Sequence, residues 1–154
     1  MIHTQKIMVA VDFSDYSLSS VIYAHNLAKE LKATLTLVNV FNERDQRAIE
    51  MAMASYDPGL ALKQIDNQKE WRGQQLTELE KQAGAQSTVI RKIVRVGVPY
   101  QELLAVIEEE KIDLLIMGTK GRGNLADTIL GSCAQKMFRR CPIPLLSIRP
   151  EKKK

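Results

Sequence analysis

The sequence predicts an α/β fold: an open five-stranded parallel sheet in the order 3-2-1-4-5, Rossmann-like, with helices on both faces. Three observations predict it. Short, nearly continuous apolar runs at residues 7–11 and 112–117 read as strands buried on both faces, which is the habit of parallel sheets. Segments with apolar residues at helical spacing alternate with the strand-like blocks along the chain. The chain has 154 residues, 45% of them hydrophobic and 26% charged, which suits a single domain with a real core and excludes a disordered chain.

Each element follows from its residues. Ile7-Met8-Val9-Ala10-Val11 is the first strand, ended by Asp12. Ser14 is placed as an N-cap with Asp15 in the first turn, and Ser17, Val21, Ala24, Leu27, Ala28 and Leu31 recur at helical spacing, so residues 14–32 read as an amphipathic helix. Residues 34–41, from Thr34 to Phe41, are a second strand rich in β-formers. Residues 42–55 are polar and contain Met51 and Met53, which are expected to pack loosely beneath this segment; a short helix and a loop both fit. Tyr56-Asp57-Pro58-Gly59 is a break. Leu62, Ile65, Leu76, Leu79 and Ala83 then fit one helical stripe that Gly73 weakens, and Gly84 ends it as the residue just past the cap.

Residues 88–96 are the third strand. Gly97-Val98-Pro99 opens a helix whose buried face carries Leu103, Leu104 and Ile107, with Pro99 tolerated in the first turn. Residues 112–117 are the most apolar strand, stopped by Gly118, and a glycine-rich polar loop runs from Thr119 to Leu130. Gly131-Ser132 begins a last helix through Met137 and Phe138. Cys141-Pro142-Ile143-Pro144 stops it before the closing strand, Leu145-Leu146-Ser147-Ile148. Right-handed crossovers leave few arrangements of these elements. In the order 3-2-1-4-5 the switch point lies between strands 1 and 4, where ligands of open α/β sheets bind; Asp12 and Gly118 meet there.

Composition narrows the function. No apolar run approaches the ~20 residues of a membrane helix, so no membrane span is expected. Met1 to Lys6 lack a signal-peptide pattern, and Cys133 and Cys141 form no CxxC pair, so a disulfide scaffold and a cysteine-rich zinc site are excluded and a cytoplasmic location is expected. Net charge is +4, but Lys152, Lys153 and Lys154 supply three of these charges and Glu151 removes one, leaving +2 without residues 151–154. Those four residues read as a basic tail. Three Phe, four Tyr and one Trp are not interleaved with basic residues into a stacking surface, so no specific nucleic acid is expected. His3 and His25 are isolated, which gives no support to a metal pair or a histidine-based triad.

The informative segment runs from Met117-Gly118-Thr119-Lys120-Gly121-Arg122-Gly123-Asn124 to Leu130-Gly131-Ser132-Cys133. Glycines let backbone N–H groups approach a polyanion, and a helix beginning at Gly131-Ser132 offers unpaired N–H groups and its dipole to phosphate. The Ser132 hydroxyl can donate a further bond. Lys120 and Arg122 are either added positive charge there or solvated loop charges. The Walker pattern GxxxxGK(S/T) is absent. Gly121-Arg122-Gly123-Asn124-Leu125-Ala126 matches G-x-G-x-x-A, but after the fourth strand rather than the first, so it is a coincidence. The spacing that fits is G-x-x-G-x9-G-S, met by Gly118, Gly121, Gly131 and Ser132.

With this motif the chain resembles the nucleotide-binding branch of the universal stress protein family. The likeness extends to Val9-Ala10-Val11-Asp12-Phe13-Ser14, to Asn39-Val40, to Asp113-Leu114-Leu115-Ile116-Met117-Gly118 and to Cys141-Pro142-Ile143-Pro144-Leu145-Leu146. The resemblance implies a single nucleotide-binding domain over residues 1–150, a homodimer, and ATP or a related adenine nucleotide at the switch point, with Mg or Mn as a phosphate-bound metal. It implies that Ala10, Asp12 and Val40 surround adenine and ribose, that Met117 and Gly118 line the nucleoside, and that Gly121, Arg122, Gly123, Gly131, Ser132 and Cys133 cradle the phosphates. Two departures stand out: cysteine at position 133, and asparagine at 39 where histidine is common in relatives. The expected function is nucleotide-dependent regulation or protection under stress, with protein partners unspecified. The alternatives are a slow ATP hydrolase or nucleotidyl transferase on the same site, at most a weak ATPase, and a nucleotide-free dimeric interaction module. Asp12 read only as a helix-flanking acid, Gly118 and Gly121 read only as turn glycines, and Cys133 read either as a helix-N-terminal reactive thiol or as a small packing residue remain open on the sequence.

Overall fold

The computed structural model describes residues 3–119 and 132–149. Five parallel strands form one sheet: β1 (Lys6–Ala10), β2 (Thr34–Asn42), β3 (Val89–Gly97), β4 (Leu114–Gly118) and β5 (Leu145–Ile148), in the order β3-β2-β1-β4-β5. β1 is central, with Val9 opposite Leu37 of β2 and Ile116 of β4. The expected order is therefore the observed one.

The helices are α1 (Asp15–Leu31), α2 (Glu43–Met53), α3 (Pro58–Gln82), α4 (Pro99–Glu110) and α5 (Ser132–Arg140). On one face of the sheet, Val21, Ala24 and Ala28 of α1 and Leu76 and Leu79 of α3 pack on Ile7, Val9, Leu35 and Leu37. On the other, Leu103, Val106 and Ile107 of α4 and Ala134 and Met137 of α5 pack on Met8, Val38, Leu115 and Met117. Successive residues of a strand point to opposite faces, so the central strands feed both cores and are mostly apolar, with Thr36 and Asn39 of β2 as buried polar exceptions.

The middle segment resolves into two capped helices. Asn42 Oδ1 accepts from Arg44 N at 3.0 Å and starts α2; Asp57 Oδ1 accepts from Gly59 N at 2.9 Å, with Pro58 at the first helical position of α3. Two expectations need correction. Met51 does not pack beneath this segment: it is 79% exposed, because α2 has no buried residue. Leu62 is also exposed and leaves the α3 stripe, which runs instead through Ala61, Ile65, Arg72, Leu76 and Leu79. One residue along a helix is a rotation of about 100°, enough to carry Leu62 to the solvent side. Gly73 does not interrupt α3, and Gly84 takes φ +63°, as a residue just past a helix cap does. The basic tail lies outside the described residues.

Candidate functional site

A cavity of about 340 Å³ opens at the carboxyl ends of β1, β2 and β4, beside the start of α5. This is the switch point: the chain leaves β1 toward β2 and β3 on one side and β4 toward β5 on the other. Seven of the eleven positions named from the sequence line it: Ala10, Asp12, Val40, Met117, Gly118, Ser132 and Cys133. The other four, Gly121, Arg122, Gly123 and Gly131, lie outside the described residues, as does Lys120.

The wall has two characters. Ala10, Val38, Val40, Leu103, Met117 and Ala134 make an apolar side continuous with the α4/α5 core. Asp12, Ser17, Asn39, Asn42, Asp45 and Arg72 make a polar side. Such a wall suits a ligand with a flat apolar body and a polar, hydrogen-bonding remainder.

Asp12 is held by the turn that follows β1. Its Oδ1 accepts from Ser14 N at 3.0 Å and from Ser17 Oγ at 2.9 Å, while its own N–H donates to Ser17 Oγ at 3.1 Å. Asp12 is thus both a helix-flanking acid and a cavity residue. Phe13 makes this possible by taking φ +63°, a left-handed conformation uncommon outside glycine, asparagine and aspartate. The Ser14 hydroxyl does not make the cap bond expected of it: the Ser17 N–H donates to the Ser14 main-chain carbonyl instead, at 3.0 Å, and among the described residues the hydroxyl is buried without a partner.

Burial pushes the Cys133 thiol up to about 11, and the nearby Asp12 charge adds to that against a smaller opposing effect of Lys136. The reactive-thiol alternative is therefore corrected: a thiol raised this far holds its proton, and Cys133 packs against the α4/α5 core. His25 is buried on α1 with Nδ1 2.8 Å from Thr88 Oγ1, away from the cavity lining. Among the described residues no group of three or more His, Cys, Asp or Glu side chains is arranged to hold a metal.

Arg72 and Asn39 were not foreseen as a pair. Arg72 Nη1 donates to Asn39 Oδ1 at 2.9 Å, and Asn39 Nδ2 donates to the Val11 carbonyl at 2.7 Å. Arg72 is 5% exposed and its guanidinium carbon lies 4.5 Å from the centre of the Phe41 ring. The sequence does carry a signal for it: a cation seven residues after Ile65 and four before Leu76, on the buried stripe of α3.

A family model, that of the universal stress protein family, matches residues 3–149. Universal stress protein YxiE of Bacillus subtilis is 28% identical over 145 residues, covering 94% of this chain and 98% of its own. Among solved structures, protein MJ0577 of Methanocaldococcus jannaschii superposes with a TM-score of 0.79 at 20% identity, covering 98% of this chain and 99% of its own. A universal stress protein solved in complex with cAMP superposes with a TM-score of 0.62 at 24% identity, covering 94% and 96%.

Proposed function

The chain belongs to the universal stress protein family, and from that premise we propose that it binds ATP or a related adenine nucleotide at the switch point and acts as a nucleotide-dependent regulatory or protective factor in stress response, as a cytoplasmic homodimer. The observation that carries the reading is the cavity itself, which gathers Asp12 from the turn after β1, Val40 from β2, Gly118 from β4 and Ser132 from α5 around one apolar-and-polar wall. The cAMP complex of a structural neighbour supports adenine nucleotides as the ligand class.

In this reading adenine lies against the apolar side, facing the main chain of Val40. Among the described residues both side-chain bonds accepted by Asp12 fall on Oδ1, and in this reading Oδ2 serves the ribose hydroxyls or a phosphate-bound cation. The donor set fits a nucleotide-borne Mg or Mn, with Asp12 as its protein contact, better than a resident metal. The phosphates lie toward Ser132, with Gly121, Arg122, Gly123 and Gly131 completing their cradle by the G-x-x-G-x9-G-S spacing.

Titration calorimetry with ATP and adenosine tests the reading, with mass analysis of any small molecule released on denaturation. Binding of both, ATP more tightly, is the expected result. A branched side chain in place of Gly131 would occupy phosphate space, so Gly131→Val abolishes ATP binding and affects adenosine much less. A folded Gly131→Val protein that binds ATP like the parent removes the phosphate cradle. A parent that binds neither ligand at millimolar concentration leaves the interaction module as the better account. Phosphate release over hours distinguishes a slow hydrolase from a binding protein.

A further inference from the structure

Two consecutive residues of α3 grip the two neighbours of Asp12. Arg72 reaches Val11 through Asn39, by the 2.9 Å and 2.7 Å hydrogen bonds described above. Trp71 meets Phe13 edge-on, with ring centres 5.8 Å apart and planes at 69°. Val11 and Phe13 flank Asp12 in the chain. We propose that the Trp71–Arg72 step of α3 is a positioning device for Asp12: the guanidinium sets the Asn39 amide, the amide holds the Val11 carbonyl, and the indole seats the Phe13 ring. The proposal rests on the nucleotide reading of the cavity and adds to it the residues that aim its carboxylate.

The chemistry of the link allows one orientation only. A guanidinium donates and cannot accept, so the Asn39 atom facing it is the carbonyl oxygen. The amide nitrogen is then turned to the Val11 carbonyl, which can only accept. Arg72 thereby selects one of the two flips of an amide that is 2% exposed. A buried cation is costly beside the apolar residue that fills other positions of the stripe, Ile65, Leu76 and Leu79 among them. Its placement on the cavity wall puts that cost where the ligand geometry is set. On the Phe13 side, the left-handed backbone that directs the Asp12 carboxylate onto Ser14 N and Ser17 Oγ is steadied by the Trp71 ring. Removing either grip frees the turn without emptying the core.

The test uses Arg72→Met, which fills the stripe without the donor, and Asn39→Asp, which keeps a partner for Arg72 but sets an acceptor against the Val11 carbonyl. Amide hydrogen exchange of the ligand-free proteins is read first. Exchange of the Asp12 and Ser14 amides is expected to accelerate about tenfold in both variants, a local opening lowered by about 1.4 kcal/mol, while Leu115 and Ile116 in β4 keep the parent rate. Unchanged Asp12 and Ser14 amides, or a uniform acceleration through the sheet, overturn the proposal. A double-mutant cycle on ATP affinity is read second. Arg72→Met is expected to weaken ATP about tenfold when Asp12 is present and negligibly in an Asp12→Ala background, which is the signature of acting through Asp12. Additive losses overturn it, since α3 would then order the turn without aiming the carboxylate. If the parent binds no adenine nucleotide, the functional reading falls, and the exchange pattern alone decides whether α3 positions Asp12.

Discussion

The Asp12 carboxylate accepts two hydrogen bonds from its own turn through Oδ1, so its charge and its shape can be removed separately. Asp12→Ala loses both. It is expected to weaken ATP by ~1.5–3 kcal/mol, the range for hydrogen bonds to a charged group, which is roughly 10–150-fold in affinity. It also loses the turn bonds, at about 1 kcal/mol of stability. Asp12→Asn keeps a carbonyl oxygen for Ser14 and Ser17 and should unfold near the parent temperature while still losing ATP affinity. Calorimetry beside thermal unfolding separates the two effects, and equal ATP affinity in both variants and parent would return Asp12 to a purely helix-flanking role. Cys133 gives a second residue-level expectation. With its thiol near 11, only about one molecule in a thousand is thiolate at pH 8, so alkylation should be slow until the protein unfolds. His25 sets a pH dependence: burial, with Lys29 beside it, holds its pKa below 6.5 in the folded chain. Below that value the unfolded chain takes the proton more readily than the folded one. Stability is therefore fully present above 6.5 and falls with pH from there toward the lowered folded value. His25→Gln should flatten that part of the profile in urea titrations.

At the scale of elements, legibility in the sequence followed how each segment meets the core. β1 and β4 were legible because residues 7–10 and 114–117 feed both faces of the sheet and so are apolar without alternation. α1 and α4 were legible because their buried residues recur every three or four positions. α2 was not, because a helix with nothing buried has no stripe to read; its local signals were the N-cap at Asn42 and the acids Glu43 and Asp45 in its first turn. In α3 the pattern was read one residue out at Leu62, since a stripe that includes Arg72 looks broken when only apolar residues are counted. The same habit hid the Arg72–Asn39 link from the site, whereas Asp12 and Gly118 were found from strand ends alone. Substitution tests the corrected stripe. Leu76 is fully buried, so Leu76→Ala should cost about 2–5 kcal/mol. Leu62→Ala should stay within about 0.5 kcal/mol, as surface changes do. A large loss at Leu62 in chemical unfolding would mean that something covers this end of α3 in solution.

For the whole molecule, the two sheet edges differ in what they permit. β3 is guarded by cations paired to neighbouring helices: Arg91 with Glu110, Lys92 with Glu80, and Arg95 with Glu109. Another strand docking there would have to displace this ladder, and charged edges of this kind oppose pairing. β5 carries no such guard in Leu145-Leu146-Ser147-Ile148, and is half-buried along its length. The proposed dimer therefore pairs the two copies along β5 about a two-fold axis. Four residues of strand span only about 13 Å, too little alone for the ~1,000 Å² expected of a specific interface. Side chains outside the strand must join it, and Phe138 of α5, 48% exposed on the helix that precedes β5 in the chain, is the candidate to test. Phe138→Asp is accordingly expected to raise the dimer dissociation constant by at least about tenfold, as loss of an aromatic anchor does. Ile90→Asp, on the exposed outer surface of β3, should leave it unchanged. Sedimentation at tens of micromolar reads both. A monomeric parent removes the proposed dimer altogether, and dissociation by Ile90→Asp with Phe138→Asp silent would move the interface to the β3 edge.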